Sequence, residues 1–406
     1  MRRDVLPSGL RVLTAERPST PLVAVKLFIK VGSRHDGARP GIAHFVEHML
    51  FRRPWPDGQG AFQQIEAVGG EINAITHREY TALQAVVLAP DLPRVFRAFR
   101  EVLAPLDVDA EHLARERDVL LTEIGHASDT QGIVWDLFLQ ALWGDADPLA
   151  RPIYGTPESV RAITTVDLQA HFARYLTPAR MVLAVAGGVR HEEVLGTAAR
   201  EWSWAPAADW VDGPWPQERG SGRVGLGKDL QATHLVVGVE AAGLKDPRRP
   251  AVKVMDIILG RGARSRLHRR LREELGLVYQ VATAAMAYED RGYLCAYTSC
   301  APASVPRVVE TILEEFDRLR RAPVSARELQ DAQTHYEGAL ARHFETVLAL
   351  AGIVGVEELL HRVESFEESV ARVRALTAED IQAVAHGLVD LDHAALAYVG
   401  RQGGAG

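Results

Sequence analysis

The chain has 406 residues, 47% hydrophobic and 24% charged, an ordinary globular balance long enough for two domains of about 200 residues each. Formal net charge is −7, Arg greatly outnumbers Lys and no basic stripe stands out, which argues against a nucleic-acid partner. Cys295 and Cys300 fall on opposite faces of a strand-like run, so no disulfide framework is expected and a reducing compartment fits.

The N-terminus, MRRDVLPSGLRVLTAE, reads as a turn at Pro7-Ser8-Gly9 followed by a short strand. It lacks the apolar core and small-residue cleavage site of a signal peptide. No stretch approaches the roughly 18 uncharged apolar residues of a membrane span, so a soluble, cytoplasmic protein with no membrane partner is expected. Leu22–Val31 reads as a strand and Ile72–Leu88 as a bent strand or hairpin. Helical patterns cover Pro40–Phe51, Gln59–Val68, Leu92–Leu103 and Ala110–His126. Residues 203–222 carry Pro206, Pro214 and Pro216 with Gly213, Gly220 and Gly222 and no sustained period, which is linker composition. Further strands are expected near His234–Glu240, Val278–Ala287 and Gly292–Ser299.

The two halves share a pattern. Val160-Arg161-Ala162-Ile163-Thr164 returns as Val373-Arg374-Ala375-Leu376-Thr377, and in the same register Asp167 meets Asp380, Gln169 meets Gln382 and Gly187 meets Gly400. This predicts a duplicated α+β domain, each copy a mostly antiparallel β-sheet covered on one face by helices. The expected division is 1–205, a linker at 206–221, and 222–406.

The sharpest chemical signal is His44-Phe45-Val46-Glu47-His48. On a helix these three polar side chains project from one side within a turn. Two imidazoles four residues apart can grip one Zn²⁺, and the carboxylate between them can take a proton from water. H-x-x-E-H is the inverted form of a zinc-peptidase motif. The alternative is a surface helix with two histidines and a paired glutamate, but the flanks Ile42, Ala43, Phe45, Val46, Met49 and Leu50 are apolar. A catalytic zinc needs a third protein ligand. On the pattern Ala110–His126, Leu113, Leu120 and Ile124 mark a core stripe, and Glu116 and Glu123 fall on or beside it. Glu123 as ligand and Glu116 as its support would explain two inward carboxylates; two glutamates at the stripe's edge reaching solvent is the other reading.

His44-x-x-Glu47-His48, then 74 residues, then Glu123, resembles the pitrilysin/insulinase family of zinc peptidases, which includes the mitochondrial processing peptidases. The likeness extends to Leu6-Pro-Ser-Gly-Leu10, Gly69-Gly70-x-x-Asn73-Ala74-x-Thr76 and Arg151-Pro-Ile-x-Gly155-Thr-Pro-Glu158. It implies a zinc ion held by His44, His48 and Glu123, with Glu47 as base and Glu116 supporting the site. It further implies that Asn73 and Ala74 begin a strand whose edge receives an extended peptide, and that Arg272 and Tyr279 hold substrate. Only the first half carries the metal in that family, and Lys253–Leu259, the counterpart of the motif helix, has no histidine. Gly276 reads as a helix C-cap before a strand. His126 reads as a helix-end histidine, His77 and His171 as structural or surface residues. Thr130-Gln131-Gly132 and the loop Arg52–Gly60 depart from the family pattern, which bears on substrate preference. The expected function is a zinc endopeptidase acting on peptides or unfolded segments in an enclosed chamber, with trimming of a dedicated precursor peptide included. The expected assembly is a homodimer, with a heterodimer with a related chain also open. A non-catalytic scaffolding subunit and a hydrolase of non-peptide amides are the competing readings.

Overall fold

The computed structural model describes residues 1–51, 60–127, 129–202 and 212–401. The architecture is α+β, in two compact units, each with its own sheet. The first unit comprises Met1–His126, Arg151–Pro214 and Arg342–Glu364; the second comprises Ala127–Ala150, Trp215–Ala341 and Ser365–Gly406. The step from Pro214 to Trp215 falls inside the expected linker, of which 206–211 lie outside the described residues. The units are not two contiguous halves, because each includes one helix encoded in the other half.

The first sheet is built from β1 (Arg2–Val5), β2 (Arg11–Glu16), β3 (Leu22–Ile29), β4 (Glu71–Thr76), β5 (Thr81–Leu88) and β6 (Met181–Gly187). Their order is β1-β2-β6-β3-β5-β4, with only β2 and β6 parallel. The Ile72–Leu88 pattern is the β4–β5 hairpin, and β4 lies at the sheet edge. Alternate strand residues Val25, Leu27, Ile29 and Leu83 join Phe45, Met49, Phe96 and Phe99 in the unit's main core.

The opposite face is covered as well, by the helix Val347–Leu360. That is why all seven residues of β6, MVLAVAG, are buried: a continuous apolar run, rather than alternation, marks a strand packed on both faces. Backbone and ring meet closely at Gly355, where a Cβ would fall 2.1 Å from Phe28 Cε2. Phe28 is 1% exposed and cannot swing out. Gly355→Ala is therefore expected to lower stability by about 1–2 kcal/mol, overpacking outweighing the roughly 1 kcal/mol that alanine gains over glycine in a helix. An unchanged urea midpoint would contradict that packing.

The second sheet repeats the plan with β7 (Arg223–Leu226), β8 (Thr233–Ala241), β9 (Val278–Ala287), β10 (Gly292–Cys300) and β11 (Ala395–Val399). The order is β7-β11-β8-β10-β9, again with one parallel pair, β7 with β11. The helix Thr130–Trp143 covers one face, placing Phe138 and Trp143 against Val236, Tyr293 and Ala397. The duplication reaches local detail. Thr164 and Thr377 each accept the N–H of the aspartate three residues on, at 3.2 and 3.1 Å. Gly187, the last residue of β6, and Gly400, the residue after β11, share the same φ of 139°, and a Cβ on Gly187 would lie 2.2 Å from Leu22 O. Cys295 and Cys300 are buried and unpaired. Among the described residues no single helix is long and apolar enough to cross a membrane.

Candidate metal centre

The pentapeptide motif occupies the helix Ile42–Phe51, whose apolar residues Phe45, Val46 and Met49 anchor it in the core. His44 and His48 leave the same side, ring centroids 4.7 Å apart. Opposite runs the helix Ala110–Ala127, seated by Leu113 and Leu120. Its Glu123 Oε2 lies 3.8 Å from His44 Nε2 and 3.3 Å from His48 Nε2. One donor atom from each of the three residues falls within 4.8 Å of the others, the only such group among the described residues.

These donors fit zinc. Burial pushes the His44 pKa down to about 3, so its imidazole is neutral and offers a lone pair. Both histidine side chains are at most 10% exposed, and His44 Nδ1 is buried with no hydrogen-bond partner among the described residues. Two imidazole nitrogens and a carboxylate oxygen are an ordinary catalytic zinc set and leave a fourth position open. Glu116 is 5% exposed and places Oε2 3.5 Å from His48 Nδ1, the position of a carboxylate that orients a ligating imidazole.

Glu47 shares the site. Thr76 Oγ1, at the end of β4, donates to its Oε2 at 2.9 Å. Burial raises the Glu47 pKa, opposed by the Thr76 hydrogen bond and the nearby His48. A cleft of about 460 Å³ opens over the group and is lined also by Phe62, Asn73, Ala74, Ile153 and Tyr154. Asn73 and Ala74 stand in the middle of β4 rather than at its start. Thr76 stood in the sequence only as part of the family likeness, with no role given to it, and Tyr154 was not singled out. Tyr154 meets the His44 ring edge-on at 4.8 Å, and its only sequence signal was its place between Ile153 and Gly155 in a segment already notable. His126 is exposed and outside the donor group. His171 is buried against Tyr175, ring centroids 4.7 Å apart.

Comparison with known proteins agrees with this geometry. Residues 11–157, which hold the whole motif region, match the family described as Insulinase (Peptidase family M16). An uncharacterized zinc protease of Mycobacterium tuberculosis is 33% identical over 401 residues, 96% of this chain and 90% of that one. The chain belongs to the insulinase, or M16, peptidase family. YmxG, an uncharacterized zinc protease of Bacillus subtilis, is 27% identical over 398 residues, covering 97% of each chain. Residues 162–336 match the Peptidase M16 inactive domain, in keeping with the histidine-free helix Arg249–Gly260. A protease from Helicobacter pylori shares the M16 fold with a TM-score of 0.89 at 18% identity, covering 98% of this chain and 99% of that one. A peptidase M16 inactive domain from Pseudomonas fluorescens does so with 0.89 at 20% identity, covering 99% and 98%.

In the second unit, the Arg272 guanidinium sits 5.0 Å over the Tyr279 ring. Tyr279 is 82% exposed near the start of β9, an edge strand. Arg272 belongs to a π-helical stretch, His268–Glu274, a geometry periodicity did not reveal. Gly276, with φ 62°, turns the chain from that stretch into β9, the cap expected of it.

Proposed function

We propose that this M16 family member is a zinc-dependent endopeptidase acting on peptides or unfolded segments. The observation that carries the reading is the convergence of His44, His48 and Glu123 donor atoms beside Glu47, in a cleft bordered by the edge strand β4. A zinc ion there supplies Lewis acidity, easing deprotonation of water and charge development on a peptide carbonyl. Glu47 accepts the water proton and returns it to the departing amine; its raised pKa favours the first transfer, in which the carboxylate takes up the proton. Thr76 fixes the carboxylate through the hydrogen bond its hydroxyl donates to Oε2. Among the described residues β4 has one strand partner, β5, so its other edge can pair with an extended substrate backbone at Asn73 and Ala74. Arg272 and Tyr279 are proposed to donate hydrogen bonds to substrate carbonyls. The proposal includes a homodimer enclosing a chamber, and a cytoplasmic setting that suits two buried free thiols.

A mixed peptide library incubated with the purified chain and read by mass spectrometry tests this reading. Cuts within extended peptides, with small amides left intact, are expected. Intact peptides despite bound zinc would favour a scaffolding role, and cleavage of small amides alone would favour a different hydrolase. Thr76→Val should slow cleavage about tenfold or more at unchanged zinc content, the effect of removing a hydrogen bond to a charged group. Equal rates for the variant and the parent chain would remove Thr76 from the mechanism.

A further inference from the structure

The motif helix is entered through a turn whose anchor is a buried carboxylate. Asp36 is 5% exposed and lies six residues before the helix. Its Oδ2 accepts the Gly41 N–H at 2.6 Å and its Oδ1 the Ala43 N–H at 3.1 Å. Ala43 directly precedes His44. The Arg39 N–H donates to Asp36 O at 3.0 Å and Ile42 N–H to Arg39 O at 3.1 Å, so the turn closes on itself. A carboxylate at a helix N-terminus satisfies first-turn N–H groups and suits the positive end of the dipole. Burying one is costly unless those bonds fix something.

The same turn is clamped from outside. Gly41 has φ 89°, and a Cβ there would meet Tyr154 O at 2.6 Å. Ser159 Oγ donates to Pro40 O and Arg151 Nη1 to Gly37 O, each at 2.8 Å. Rotation or fraying of the helix start is thereby blocked, and His44, in the first turn, is the ligand most exposed to such fraying.

We infer that Asp36 is a positioning residue for the metal centre: its two carboxylate oxygens hold the backbone that presents His44. The inference rests on the zinc reading above. Its test is a chelator-competition titration of zinc affinity on the full chain, its Asp36→Ala and Asp36→Asn variants, and Gly355→Ala as a control destabilised on the far face of the sheet. Melting of the zinc-free proteins is followed in parallel. The expected result is a loss of zinc affinity of about ten- to a hundredfold in Asp36→Ala, the range for supports of metal ligands. Asp36→Asn, which keeps one acceptor, should lose less, and Gly355→Ala should bind like the parent chain. Equal affinity in the parent chain and both Asp36 variants would overturn the positioning role while leaving the zinc site standing. An equal loss in Gly355→Ala would also overturn it, assigning the effect to general instability. Absence of zinc binding in the parent chain would instead overturn the reading beneath it.

Discussion

Glu47→Gln is expected to lower peptide cleavage about 10²- to 10⁴-fold, the usual contribution of a positioned general base, while zinc content stays at that of the parent chain. The substitution keeps side-chain length and retains an oxygen to accept the Thr76 hydroxyl, so the local packing survives. What it removes is the capacity to take up and return a proton. Glu47 is not among the three residues whose donor atoms converge, so the metal should be unaffected. Paired measurements of rate and bound zinc separate the two contributions. Cleavage within tenfold of the parent chain would take Glu47 out of proton transfer, and lost zinc would make it a ligand or a structural support.

Arg34→Met is expected to cost about 3–5 kcal/mol of stability, the size found when one partner of a buried ion pair is removed. The Arg34 side chain is fully buried, and its Nη1 lies 2.7 Å from Glu79 Oε1, itself 5% exposed. Around the pair, Ser33 N–H donates to His77 O at 3.1 Å and Arg34 N–H to Arg78 O at 2.8 Å. These bonds join the segment leading to the motif helix with the β4–β5 turn, which follows Thr76. The close approach is possible because residue 32 is glycine: a Cβ there would sit 2.1 Å from His77 O. Urea unfolding should show a large fall in midpoint for Arg34→Met and substantial recovery in Arg34→Met/Glu79→Leu, where both charges of the pair are gone. A cost below about 1 kcal/mol in the single variant would mean that the pair is not held as described.

Much of the candidate site was legible because its chemistry is local in sequence. His44, Glu47 and His48 share one helical turn, and the stripe of Leu113 and Leu120 pointed to Glu116, which is buried, and to Glu123, whose side chain stands 40% exposed at the stripe's edge. The roles of residues that act through longer reaches were not legible. Thr76 meets Glu47 across a strand-to-helix contact, and Asp36 reaches over a five-residue turn to N–H groups that no capping-box spacing describes. For the fold, alternation and helical period located β3, the β4–β5 hairpin and the long helices, while the helices that close the second face of each sheet carry no signal of which sheet they join. Their trace lay in the strands: the unbroken apolar run of β6 needs cover on both faces. Arg272 and Tyr279 have only a spacing and a family likeness, and the π-helical stretch that carries Arg272 leaves no trace in the helical period.

The most direct test of the central claim measures zinc content and peptide cleavage on the same samples of the purified chain, before chelation, after it and after zinc is restored. One zinc per chain is predicted, with cleavage that vanishes as zinc is removed and returns as it is replaced, and with His44→Ala, His48→Ala and Glu123→Gln losing both together. Cleavage that persists in zinc-free protein, or zinc retained in full by all three variants, would contradict the account.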